Sequence, residues 1–122
     1  MADKQEKSWD NLIEEILKFR DERDWARFHT PKNLSAAIAI ESAELQERFL
    51  WKTDTEVAAD LRKASEKKKI VQEVADILIY TLLFARHLNA DIDGAVRAKI
   101  RSNRKRYPIA RSKGVATKYT EL

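Results

Sequence analysis

The chain has 122 residues, 36% of them charged, and a formal net charge of +4, enough for one domain with a modest core. It has no cysteine, which excludes disulfides and thiolate metal sites, and its two Gly and two Pro amid abundant Ala, Leu, Ile, Glu, Lys and Arg favour helices. The opening MADKQEKSWD is too polar for a signal peptide, and no apolar run reaches the roughly 20 residues of a membrane span, so a cytoplasmic protein without a membrane partner is expected.

The first helix is expected from about Trp9 to Arg23, capped by Ser8, with Trp9, Leu12, Ile13, Ile16 and Leu17 as its apolar stripe. A connector from Asp24 to Pro31 follows and carries Trp25, Phe28 and His29, an unusual density of rings for a link. The second helix is expected from Lys32 or Asn33 to about Trp51, with Leu34, Ile38, Leu45 and Phe49 on its stripe. Thr53 or Asp54 can cap a short helix through Leu61. The charged segment Arg62 to Lys69 reads as a loop or a helical turn.

The next helix is expected over roughly Lys68 to Leu88. Its segment VADILIYTLLFA is apolar nearly all round and must be covered on most sides. A chain of this size can hardly do that alone, so an obligate homo-oligomer using this helix is predicted. Asp91 can cap the last helix, Ile92 to Arg106, which Pro108 ends, and Ile109 to Leu122 has no helical period and reads as an extended tail. The expectation is one all-α domain over residues 1–122, resembling a four-helix bundle.

Charge is uneven along this chain. From Arg97 to Lys118 there are nine Lys or Arg and no Asp or Glu. Such a cluster is either a solvated basic end or a phosphate-binding surface. No nucleic-acid motif accompanies it, so a nucleic-acid partner is not expected.

Two acidic pairs carry the chemistry, Glu41-x-x-Glu44 and Glu73-x-x-Asp76. Residues three apart share a helix face, so each pair aims two carboxylates at one spot. Surface pairing offers a bland account for two of them: Arg48 lies four residues after Glu44, and Lys69 four before Glu73. Glu41 and Asp76 have no such local cation and sit among apolar residues. Converging carboxylates are costly to bury unless a cation neutralises them. All-oxygen donors without His point to Mg²⁺ or Mn²⁺ rather than iron or zinc. Such ions also accept phosphate ligands and activate water.

The pattern E-x-x-E, 28 residues, E-x-x-D resembles the MazG-like, all-α nucleoside triphosphate pyrophosphohydrolases. RDW, FH, P-x-NL, FLWK, EVADILIY, NRKRYP and KYTEL are similar to the dCTP pyrophosphatase branch, over about Glu15 to Leu122. The resemblance implies a helical homo-oligomer, a tetramer built from tight dimers. It also implies cleavage of a nucleoside triphosphate between the α and β phosphates. Glu41, Glu44, Glu73 and Asp76 match its metal-ligand and catalytic positions. Trp25, Phe28, His29 and Trp51 match positions enclosing base and sugar, and Tyr80 a substrate contact. Tyr80 also follows Asp76 by four residues on one stripe. Asn103 in NRKRYP is expected to face the triphosphate.

One departure stands out. The resembled branch can carry a His in the nucleotide pocket nine residues before the Trp of RDW, where this chain has Ile16. An apolar residue there leaves a broader house-cleaning activity as the main alternative to dCTP. A non-catalytic basic module that binds nucleic acid and a purely structural oligomer driven by the apolar helix are the remaining ones, and both leave the acidic pairs unexplained.

Overall fold

The structure is a computed structural model that describes residues 3–122, with side chains from Trp9 onward. Six α-helices follow in order: α1 (Asp3–Asp21), α2 (Pro31–Glu47), α3 (Asp54–Leu61), α4 (Ala64–His87), α5 (Ile92–Arg106) and α6 (Ile109–Ser112). Short 3₁₀ turns lie at Ala26–Phe28 and Tyr119–Glu121. No strand occurs among the described residues, so the all-α expectation holds. The chain divides into two compact units, Met1–Leu88 and Asn89–Leu122.

In the first unit α4 is the hub. It packs most extensively on α2, and less so on α1 and α3. Leu34 of α2 and Leu82, Leu83 and Ala85 of α4 form the buried core, with Leu34 and Leu82 each 1% exposed. Burying a leucine fully contributes about 1.5–3 kcal/mol. Arg86 ties α4 to Glu14 of α1 at 3.0 Å.

Much apolar surface stays uncovered. Val71, Val74, Leu78 and Ile79 of α4, Ile40 of α2, and Trp9, Leu12 and Phe19 of α1 are all exposed in the single chain. The apolar stretch of α4 is therefore only partly covered by its own chain.

Local signals explain most helix ends. Thr30 accepts from Asn33 N–H at 3.2 Å with Pro31 in the first turn, which starts α2. Thr53 and Glu56 form a reciprocal capping box for α3. Asn89, at φ 51, follows the last residues of α4 in the left-handed conformation that commonly closes helices.

Several boundaries differ from expectation. α1 begins at Asp3, so Ser8 lies inside the helix rather than at its start. α2 stops at Glu47, and the chain turns through Phe49 and Leu50 to a left-handed Trp51 at φ 65. α4 begins at Ala64, so the charged segment before Lys68 is already helical.

In the second unit Asp91 caps α5 by accepting from Gly94 N–H at 3.1 Å. The segment expected to be extended is not. One turn of α6 and a left-handed Gly114, at φ 80, fold it back. Tyr119 then meets Tyr107 edge-on at 5.9 Å, with Arg106 over its ring at 4.9 Å. A four-residue helix is too short to leave a period in sequence.

Candidate metal and nucleotide site

The contact between α2 and α4 sets the acidic pairs face to face. Glu41, Glu73 and Asp76 each bring one carboxylate oxygen into a group lying within 4.8 Å of one another. Glu41 and Glu73 are half-buried and Asp76 is exposed. Glu44 lies beside this group, facing Glu41 from the same helix. It also lines an open cleft of about 430 Å³ together with Glu47, Arg48 and Glu73.

The electrostatics are those of a site short of positive charge. Burial first, then the facing Glu44 carboxyl, then the charges of Asp76 and Glu73, push the Glu41 pKa above its ordinary 4.5. Glu41 Oε2 is buried without a hydrogen-bond partner. A buried acceptor left orphaned is costly. An all-oxygen acidic set with such an acceptor fits a hard divalent cation.

The local ion pairs considered for these acids do not form. Lys69 pairs with Glu66 at 3.0 Å rather than with Glu73. Arg48 reaches past Glu44 to Glu73 of α4, where Nη2 donates to Oε1 at 3.1 Å. Sequence placed Arg48 on the right stripe, seven residues after Glu41, but a period cannot say which carboxylate a long side chain will choose.

The ring-rich connector meets α4 one turn beyond Asp76. There His29 stands edge-on to Tyr80 at 6.4 Å. His29 is half-buried and its Nδ1 has no partner. Burial, with the nearby Arg20 charge second, lowers its pKa below the ordinary 6.5. The connector is pinned to α2 by Asn33 Nδ2, which donates to the Phe28 carbonyl at 2.8 Å.

The remaining rings are more open. Trp25 packs edge-on against Phe19 at 5.8 Å, and Phe28 lies under Arg27 at 4.8 Å. Trp25 and Phe28 are 43% and 53% exposed, and Trp51 is 93% exposed. Asn103 is exposed on α5, in the second unit. No helix among the described residues is long and apolar enough to cross a membrane.

Comparison with known proteins bears on this arrangement. The sequence profile of the MazG-like family matches residues 36–122. Over 105 residues the chain is 42% identical to dCTP pyrophosphatase 1 of Mus musculus and 40% identical to that of Homo sapiens. Each match covers 86% of this chain but 62% of the relative, so the chain spans less than two thirds of the length of these curated relatives. It is also similar to the solved structure of a pyrophosphatase from Archaeoglobus fulgidus. The TM-score is 0.75 at 37% identity, covering 81% of this chain and 91% of that one.

Proposed function

The chain belongs to the MazG-like family, and from that membership together with its carboxylate site we propose that it is a nucleoside triphosphate pyrophosphohydrolase. The reaction is (d)NTP + H₂O → (d)NMP + pyrophosphate, with dCTP or a modified dCTP as substrate. The observation that carries this reading is the meeting of Glu41, Glu73 and Asp76 around an orphaned, buried Glu41 oxygen. The names of the relatives support the reaction and the base.

In this reading Glu41, Glu73 and Asp76 would hold Mg²⁺, with Glu44, the fourth acid of the pattern, beside them. A bound ion would supply positive charge to the phosphate oxygens. The chain's own groups do the rest. Glu44, beside the metal-holding group and at the cleft, accepts the proton of the attacking water. The water oxygen bonds to the α or the β phosphorus, and the bond from that phosphorus to the bridging oxygen breaks. The bridging electron pair leaves on the other product, pyrophosphate for attack at α and the nucleoside monophosphate for attack at β. Trp25, Phe28 and Trp51 offer faces to the base. Neutral His29, with Nδ1 free, offers a hydrogen bond to base or sugar beside Tyr80. Asn103 is assigned to the triphosphate on its NRKRYP motif alone.

We place this activity in a homotetramer formed from two dimers. The exposed apolar residues of α1, α2 and α4 support it, because they need a covering partner. Ile16, half-buried and apolar at a position where the resembled branch can carry His, favours a second reading with relaxed base choice.

Pyrophosphate release from a panel of NTPs, dNTPs and 5-modified dCTPs, with Mg²⁺ and with EDTA, tests both. Release concentrated on dCTP or its analogues supports the first reading, and release spread over many bases the second. Silence across the panel refutes the enzyme.

A further inference from the structure

Resting on that reading, we propose that Arg48 is a substrate-binding residue that grips the phosphates of the incoming nucleotide at the cleft. Arg48 caps the C-terminus of α2, four residues after Glu44 and seven after Glu41, on the acid-bearing stripe. A guanidinium has five N–H donors in a planar fork. Among the described residues the Arg48 side chain makes one hydrogen bond, from Nη2 to Glu73 Oε1 at 3.1 Å. It stays 38% exposed, whereas Glu73 is 13% exposed. Glu73 therefore orients the group without using it up.

The surroundings say what the spare donors are for. Glu44, Glu47 and Glu73 line the same cleft, and among the described residues Arg48 is the single cation on that lining. A nucleotide's phosphates brought to this wall meet three carboxylates and one guanidinium. Arg matches phosphate oxygens bidentately, in the plane of its fork. As a stability device the pair is weak, because a part-exposed ion pair with one bond contributes little. Lys69, one helical turn before Glu73, is held by Glu66. That leaves Arg48 as the group at this cleft built to receive an anion.

The test uses the full chain with Arg48→Ala and Arg48→Lys, each checked for an unchanged melting transition. Binding of the non-hydrolysable α,β-methylene analogue of dCTP is measured by calorimetry at saturating Mg²⁺, beside KM and kcat. Mn²⁺ affinity without nucleotide is measured separately by electron paramagnetic resonance. Arg48→Ala is expected to weaken the analogue roughly tenfold to a hundredfold and to raise KM in step. Arg48→Lys, which keeps the charge but loses the fork, should fall between. Unchanged analogue affinity in Arg48→Ala, or a loss confined to Mn²⁺ affinity, would overturn the assignment and leave Arg48 as a support for Glu73. A wild-type chain that neither binds nor hydrolyses any nucleotide overturns the enzyme reading itself, and this inference with it.

Discussion

The imidazole of His29 stands edge-on to the ring of Tyr80, 6.4 Å away and tilted by 75°. One ring comes from the link between α1 and α2, the other from the acid-bearing stripe of α4. The contact joins the aromatic part of the site to the acidic part. Burial of the imidazole, with the Arg20 charge second, favours its neutral form.

That shift has a direction that can be measured. The His29 ring should titrate below the ordinary 6.5 in a proton NMR pH series. An unfolded chain then takes up the proton first, so His29 contributes stability above pH 6.5 that is lost as pH falls through the folded value. Urea melts at a series of pH values should show a steeper acid loss for wild type than for His29→Gln. A midpoint at or above 6.5 would contradict the burial argument.

Glu41 has the opposite sign. Its raised pKa means that stability is full below the ordinary 4.5 and is lost as pH rises through the folded value, in the absence of a cation. Glu41→Gln should therefore melt higher than wild type in EDTA at neutral pH. Added Mg²⁺ should raise the melting temperature of wild type and leave the variant nearly unmoved. Turnover should fall by more than the roughly hundredfold typical of losing an outer partner of a metal ligand. Equal Mg²⁺ responses in the two proteins would remove Glu41 from the ligand set.

Glu44 should behave differently from its neighbours. As the proton acceptor, Glu44→Gln is expected to lower kcat by about 10²–10⁴-fold while Mn²⁺ binding is retained. A parallel collapse of Mn²⁺ binding would instead make it a fourth ligand.

Trp51 sets function against local comfort. It is 93% exposed at φ 65, a conformation that costs an ordinary L-residue roughly 1–2 kcal/mol and that Asn tolerates better. Trp51→Asn should keep or raise the melting temperature while weakening nucleotide binding. A destabilised variant with intact binding would show that the indole serves packing.

Ile40 probes assembly. It is 58% exposed on α2, so a charge there costs the lone chain little. Ile40→Glu should shift sedimentation from a multiple of the 14.2 kDa chain toward a single copy, with helicity retained. An unchanged sedimentation coefficient would place the interface elsewhere.

Legibility in the sequence followed the strength of local signals. α5 was readable to the residue because Asp91 starts it and Pro108 follows its end. The end of α2 was not, because Phe49, Leu50 and Trp51 prolong an apolar pattern with no Gly or Pro to stop it. The start of α4 hid in a lysine run whose helicity is set by packing farther along. At the site, the three-residue spacings placed each acidic pair on one face. The bond from Arg48 to Glu73 spans two helices, and no one-dimensional spacing encodes it.

The bend that carries Trp51 is fastened on both flanks. Before it, Leu50 N–H is bonded back to Gln46, and after it Lys52 reaches Asp60 at 2.6 Å while Thr53 enters the capping box of α3. The backbone beneath the indole is thus braced on both sides, while the indole itself stays 93% exposed. Backbone entropy there is surrendered when the chain folds, before any ligand arrives. A flat partner that stacks on Trp51 meets an ordered backbone, and only the indole's own rotamers are left to be fixed on binding.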